Sequence, residues 1–169
     1  AKEELQTITR TKKSIKWSKV EGSRVPMLIG EISHSIDAKG RYIVPSKFRD
    51  DLGERFIITK GFEHCLFVYT FEGWQRAAGN MRQLSNTDAE ARKFSRNFFS
   101  GAFEAEIDKQ YRVVLPLNLR EHANLDKDVV TIGVSTRLEI WDKAHWQQYI
   151  EDADSVYEQS AVKFADINL

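Results

Sequence analysis

Residues 27–52 have the sequence MLIGEISHSIDAKGRYIVPSKFRDDL, and residues 98–123 have the related sequence FFSGAFEAEIDKQYRVVLPLNLREHA. The two stretches align without a gap at an offset of 71 residues. The identical pairs are Gly30/Gly101, Ile36/Ile107, Asp37/Asp108, Arg41/Arg112, Pro45/Pro116 and Arg49/Arg120. With a shift of one residue the match continues from 65–74 to 137–146. Such a match indicates a tandem duplication of one structural unit.

Each unit is predicted to contain four strands and short helices. Alternating or β-branched apolar residues indicate strands, at 29–36, 42–44, 56–59 and 65–69 in the first unit and at 103–107, 112–115, 129–134 and 137–141 in the second. Helices are predicted after Pro45, at 71–84, from Asp88 to about 99 and from Asp142 to about 160, because proline and aspartate favour helix starts. The chain is therefore predicted to be α+β.

The repeat and the charge distribution divide the chain into five predicted segments. These are a basic N-terminal arm at 1–26, a first module at 27–84, an inter-module helix at 85–100, a second module at 101–147 and an acidic C-terminal tail at 148–169. Residues 14–20 alternate, so the arm is predicted to be either an edge strand or a flexible segment.

The net charge of the chain is zero, with 25 Lys and Arg against 25 Asp and Glu among 169 residues. Taken as a whole, this balance argues against a nucleic-acid partner, because such partners usually require an excess of basic side chains. The charge is unevenly placed, however. Residues 1–26 carry an excess of four positive charges, and residues 142–169 carry an excess of four negative charges.

Several classes of protein are not expected. The apolar runs are far shorter than the ~20 residues of a membrane-spanning helix, and the N-terminus has no apolar segment of a secretory signal. The single cysteine, Cys65, excludes an internal disulfide and fits a reducing cytoplasm. Phosphate-loop, hydrolase and zinc-protease motifs are missing, and the four histidines are scattered. We therefore expect no enzyme activity, catalytic residue, metal, cofactor or small-molecule substrate.

The most specific motif is Asp-x-x-x-Arg, which occurs at 37–41 and again at 108–112, in each case at the predicted tip of a hairpin between the strands on either side. One interpretation is structural: Asp37 and Asp108 accept hydrogen bonds from turn amides and pair with the arginines, and Gly40 takes a positive φ. The other interpretation is functional. A two-stranded ribbon fits the major groove of DNA, where an arginine binds guanine O6 and N7 and a lysine neutralises a phosphate.

The sequence resembles the MraZ family of bacterial transcriptional regulators. The resemblance rests on the stretch at 27–52, on DAEARKFSRNFFSGAFEAEIDKQYRVVLP at 88–116 and on RLEIWDKAHWQQY at 137–149, and it covers about 27–150. It implies tandem SpoVT/AbrB-type modules with a swapped-hairpin, double-split β-barrel architecture and flanking helices. It also implies a ring-like homo-oligomer that binds repeated boxes of double-stranded DNA in the promoter of the division and cell-wall operon. A cytoplasmic, nucleoid-associated location follows from that function.

The resemblance also indicates which residues contact DNA. In the first motif these are Lys39 and Arg41, and in the second they are Arg112 and its nearest basic neighbour, Lys109. Tyr111 stands where the first motif has glycine, and a bulky side chain resists positive φ. The second turn is therefore expected to have a different geometry and a weaker role in DNA contact.

Two further surfaces leave alternatives open. Arg92 and Arg96 lie four residues apart on the inter-module helix and are predicted either to pack against protein or to contact phosphate. The acidic C-terminal helix has an apolar stripe of Trp146, Tyr149 and Ile150, which packs on its own unit or holds a protein partner. The second alternative would make the chain an AbrB-like scaffold or an antitoxin-like module.

Overall fold

The computed structural model describes residues 26–164. The N-terminal arm, predicted as a strand or a flexible segment, lies outside the described residues. The strands are β1 (Leu28–Ser35), β2 (Arg41–Ile43), β3 (Arg55–Lys60), β4 (Leu66–Tyr69), β5 (Phe103–Glu106), β6 (Arg112–Val114), β7 (Asp128–Ser135) and β8 (Leu138–Asp142). The helices are α1 (Ser46–Leu52), α2 (Phe71–Met81), α3 (Ala89–Ser100), α4 (Leu117–His122), α5 (Lys143–Ser155) and α6 (Tyr157–Lys163).

The strands form one antiparallel sheet of six strands and one ribbon of two. The order in the sheet is β1-β7-β8-β4-β3-β5, and the ribbon pairs β2 with β6. The first strand of each repeat pairs with the third strand of the other repeat, as β1 does with β7 and β5 with β3. The order is unchanged when the two repeats are exchanged. The predicted α+β duplication is therefore confirmed at the level of strands and helices.

One expectation about the turns is wrong. The Asp-x-x-x-Arg motifs were expected at the tips of hairpins formed by the strands on either side, but β1 does not pair with β2, nor β5 with β6. Instead β2 of the first repeat pairs with β6 of the second. The reason is that Tyr42 and Val113, at the centre of these strands, are buried together and bring the two strands side by side.

Alternation along the sheet strands divides the core between the two faces of the sheet. Leu66 and Val68 of β4 belong to the cluster that contains the ribbon and the short helices α1 and α4. Phe67 and Tyr69 belong to the cluster on the opposite face, beneath α2, α3 and α5. Because successive side chains of a strand point to opposite faces, a near-continuous apolar strand is covered on both sides.

A hydrogen-bonded group of two buried side chains and one half-buried side chain joins the ribbon to the sheet. The Tyr42 hydroxyl lies 3.0 Å from Thr131 Oγ1, and His34 Nε2 lies 2.8 Å from the same oxygen. Burial raises the pKa of Tyr42 and lowers the pKa of His34. These polar atoms are therefore paired where water has little access, which favours a single register between ribbon and sheet.

The helix starts follow the predicted capping. The Asp88 side chain accepts from the backbone N–H of Glu90, and the Asp142 side chain accepts from that of His145. The C-terminal helix differs from the prediction because it is interrupted at Val156, where φ is −118°. None of the described helices is long and apolar enough to cross a membrane.

We expect Gly133→Ala to destabilise the fold, because β1 and β7 approach closely at this position. A Cβ there would lie 2.4 Å from Ile29 N and 2.5 Å from Leu28 C, and backbone atoms cannot move aside as a side chain can. The expected loss is about 1–3 kcal/mol in the free energy of unfolding, measured by denaturant titration. Gly79→Ala is the matched control: nothing lies within 4 Å of that Cβ, and alanine favours a helix. An unchanged stability of the Gly133 variant would contradict the close approach.

Candidate nucleic-acid interface

The first Asp-x-x-x-Arg motif forms a tight turn closed by its own aspartate. Asp37 Oδ1 accepts hydrogen bonds from the backbone N–H groups of Lys39 at 2.9 Å and Arg41 at 3.0 Å. Arg41 Nε donates to Asp37 Oδ2 at 2.5 Å. Gly40 has φ +74°. The carboxylate thus fixes the turn and the direction of the arginine together.

The second motif forms the same turn, so the expectation of a different geometry is wrong. Asp108 Oδ1 accepts from the backbone N–H groups of Gln110 at 2.8 Å and Arg112 at 3.0 Å, and Arg112 Nε donates to Asp108 Oδ2 at 2.8 Å. Tyr111 takes φ +60°, in the left-handed region that Gly40 occupies in the first turn. Both predicted aspartates and both arginines therefore have equivalent positions.

Each turn packs against a further arginine that was not predicted as part of the site. The guanidinium of Arg49 lies 4.0 Å from the centroid of the Tyr111 ring, and its Nε donates to the Val44 carbonyl at 2.8 Å. This stacking offsets part of the cost of a left-handed tyrosine. Arg120 occupies the matching place in the other half, where a Cβ on Gly40 would lie 2.8 Å from its Cζ.

Arg49 and Arg120 could have been found from the sequence, because they are identical at matching positions of the repeat. Each lies on a short helix, α1 or α4, and reaches the turn of the opposite repeat. Their role is to position the turns, so each turn depends on both halves of the chain.

The ribbon places both motif arginines on one exposed face. Arg41 is paired with Val114, and Arg112 is paired with Ile43, across the two strands. These four side chains share the outer face because residues two apart on a strand point the same way. Ile43 and Val114 are 44% and 56% exposed. The outer face is thus a small apolar surface with an arginine at two diagonal corners.

The electrostatics of the site come from the two carboxylates. The pKa of Asp37 is lowered, first by the hydrogen bond from the backbone N–H of Arg41 and then by that from the Arg41 side chain. The pKa of Asp108 is lowered first by the backbone N–H of Arg112. Within residues 26–164, each arginine uses only Nε for its carboxylate, so its two terminal nitrogens remain to bind another group.

The two predicted lysines lie in the turns and are exposed. Lys39 and Lys109 form no ion pair with any residue that the structure describes. Because Gln110 is the sequence equivalent of Lys39, Lys109 lies one position earlier in its turn. The positive charge of the two turns is therefore similar in amount and different in place.

The other predicted surfaces have separate locations. Arg92 donates to the Asn86 carbonyl at 2.9 Å and does not pair with Asp88, which caps α3. On α5, Trp146 and Tyr149 contact Trp141, with ring centroids 5.3 and 4.9 Å apart, so the apolar stripe packs on its own unit.

No group of three His, Cys, Asp or Glu side chains that could hold a metal occurs within residues 26–164. Cys65 is buried in the described structure, and this burial raises the pKa of its thiol. A thiol in such a place is a poor nucleophile.

Comparison with known proteins identifies the family. A family model described as "MraZ protein, putative antitoxin-like" matches the chain twice, at residues 27–97 and 98–166. The chain belongs to the MraZ family. The two matches follow one another directly and together cover the duplicated region, so the MraZ repeat and the internal repeat coincide.

Three MraZ relatives are each named "Transcriptional regulator MraZ". They come from Thermoanaerobacter sp. strain X514 at 50% identity, Acetivibrio thermocellus at 52% and Moorella thermoacetica at 50%. In each case the match spans 143 residues, which are 85% of this chain and 100% of the relative. The likeness therefore extends over whole MraZ proteins.

We expect Asp37 to titrate below the ordinary aspartate pKa of about 3.9. Because the folded pKa is the lower one, its contribution to stability is present above the unfolded pKa and is lost as the pH falls through the folded pKa. Carboxyl NMR titration measures the midpoint. Arg41→Ala should raise the midpoint only part of the way, because the backbone N–H of residue 41 still donates. A wild-type midpoint at the ordinary value would contradict the proposed hydrogen bonding.

Proposed function

We propose that this MraZ family member is a sequence-specific DNA-binding transcriptional regulator that reads DNA with the outer face of the β2–β6 ribbon. The observation that carries the proposal is a pair of equivalent turns on one exposed ribbon, in each of which an aspartate holds the arginine in place. The names of its relatives as transcriptional regulators support the same conclusion.

The geometry suits direct recognition of bases. A two-stranded ribbon is one of the structures that the major groove admits, and the terminal nitrogens of Arg41 and Arg112 can donate to guanine O6 and N7. From strand geometry the Cα atoms of the two arginines lie roughly 8 Å apart, which is two to three base-pair steps. Lys39 and Lys109 neutralise phosphates on either side. Asp37 and Asp108 hold the arginines in place before DNA arrives, which reduces the entropy lost on binding.

One subunit supplies few positive charges, so tight binding requires several subunits. We propose a ring-like homo-oligomer whose ribbons engage repeated boxes together, which raises the effective concentration of each ribbon. The family resemblance points to boxes in the promoter of the division and cell-wall gene cluster. The protein would then act in the cytoplasm, associated with the nucleoid and not with a membrane, without cofactor, small-molecule substrate or catalysis.

We also propose the finer architecture that the resemblance implies. The exchange of strands between the repeats is consistent with a swapped-hairpin, double-split β-barrel of AbrB type. Within it the modules are proposed at 27–84 and 101–147, joined by the helix at 85–100 and followed by the tail at 148–169.

A second candidate function is a protein-interaction scaffold or antitoxin-like module that acts through the C-terminal helix. The observation that favours it is α6, none of whose residues is buried. Deletion of 151–169 separates the two functions: loss of a protein partner with unchanged DNA affinity would support the second candidate.

Arg41→Ala and Arg112→Ala are each expected to weaken DNA binding by about 1–3 kcal/mol, roughly 5- to 150-fold, for each subunit engaged, because each removes one arginine–guanine contact per subunit. Fluorescence anisotropy with a duplex selected from random DNA by the wild-type protein measures the affinity. Arg55→Ala is the matched control, since Arg55 is an exposed arginine paired with Glu104 away from the ribbon. Unchanged affinity of both ribbon variants would reject the proposed interface.

Lys39→Ala is expected to act differently, through phosphate contact. It should weaken binding to selected and unrelated duplexes alike and reduce the slope of log affinity against log salt by about one for each subunit engaged. Titrations between about 50 and 200 mM salt measure the slope. If the slope is unchanged while discrimination between duplexes falls, Lys39 contacts a base and the phosphate assignment is wrong.

A further inference from the structure

A groove along α3 combines positive charge with one exposed aromatic ring. It has a volume of about 440 Å3 and is lined by Asn86, Arg92, Ser95, Arg96 and Phe99. In the part of the chain that the structure describes, Arg96 forms no ion pair and Arg92 bonds only to a backbone carbonyl. Residues 76–100 contain five basic and two acidic side chains, an excess of three positive charges. The groove therefore suits a negatively charged, partly apolar ligand.

The end of the chain has the complementary character. Residues 148–164 contain four acidic side chains and one basic, an excess of three negative charges. Tyr157, Val162 and Phe164 are 73%, 76% and 60% exposed, although all three are large and apolar. A helix of seven residues is not stable alone in water. A packing partner beyond the described contacts would account for both the exposed side chains and the helix itself.

We propose that the end of α5 and α6 of one copy of this chain dock in the α3 groove of a second copy. Asp154 and Glu158 are exposed on either side of Val156, and Arg92 and Arg96 lie one turn apart on α3, so the docked segment pairs its two carboxylates with the two guanidinium groups. Phe99, which lines the groove and is 38% exposed, offers apolar surface to Tyr157 and Phe164. This contact rests on the oligomer of the proposed function and names the surfaces that build it.

The connection between the helices explains why the partner is a second copy. α2 and α3 are joined by residues 82–88, and α3 folds back so that Phe98 stacks on Trp74 with ring centroids 5.2 Å apart. Only Val156 separates α5 from α6, so α6 has no loop with which to fold back on its own chain. Two different surfaces that bind each other between copies form a head-to-tail contact, which closes into a ring when the rotation allows.

Charge reversal tests the contact, with the mass measured by native mass spectrometry without DNA. A groove variant carries Arg92→Glu and Arg96→Glu, and a tail variant carries Asp154→Arg and Glu158→Arg. Each alone should be a monomer, because each has lost one of the two surfaces. An equal mixture should assemble with the two variants alternating, because the acidic tail of the groove variant meets the basic groove of the tail variant and the basic tail of the tail variant meets the acidic groove. A chain with all four substitutions should regain the wild-type mass.

The control carries Lys127→Glu and Lys143→Glu, the same change of charge at two exposed lysines outside the groove, and it should keep the wild-type mass. The mixture and the four-substitution chain still test the contact if one variant is less stable. A groove variant that keeps the wild-type mass overturns the contact, and if it also binds DNA more weakly, the groove contacts phosphate. A monomeric wild type overturns both contact and ring, whereas the Arg41 titration tests the ribbon separately.

Discussion

Neither repeat contains a partner for its own first strand, and the rest of the structure depends on that constraint. The backbone N–H and C=O groups of β1 pair with β7, and those of β5 pair with β3. Each of these hydrogen bonds contributes about 0.5–1.5 kcal/mol, and together they are a large part of the marginal stability of a domain of this size. The two repeats therefore form one folded unit, and the ribbon over the sheet exists only when both are present.

The candidate site also depends on the presence of both repeats. Arg41 and Arg112 share a face because Tyr42 and Val113 are buried together beneath it. Each turn is closed by its own aspartate, yet each is supported by an arginine of the opposite repeat. The duplication thus supplies two things: a second motif arginine on the ribbon, and the arginine that packs against each turn. A single repeat would hold its motif arginine in no fixed direction.

The sequence predicted the elements well because their signals are local. Alternation indicated the strands, Asp88 and Asp142 indicated helix starts, and the repeated Asp-x-x-x-Arg indicated two closed turns. Strand partners were not predictable in this way, since a period of two residues indicates a strand and not its neighbour. The conformation of Tyr111 was mispredicted for a similar reason: Arg49, which stacks on its ring, is 62 residues away in the chain. The DNA contacts themselves stay a prediction.

The zero net charge arises because two equivalent helices of the repeats lie beside segments of opposite charge. Ala91-Arg92-Lys93-Phe94 of α3 matches Ala161-Val162-Lys163-Phe164, so the two helices occupy similar places in the repeat. One lies in a basic segment and the other follows an acidic one, and the opposite excesses cancel in the total. A uniformly basic chain would repel its own copies as it gathered them on DNA. In the proposed assembly, a chain that divides its charge between two surfaces attracts its copies and leaves the ribbon arginines for the bases.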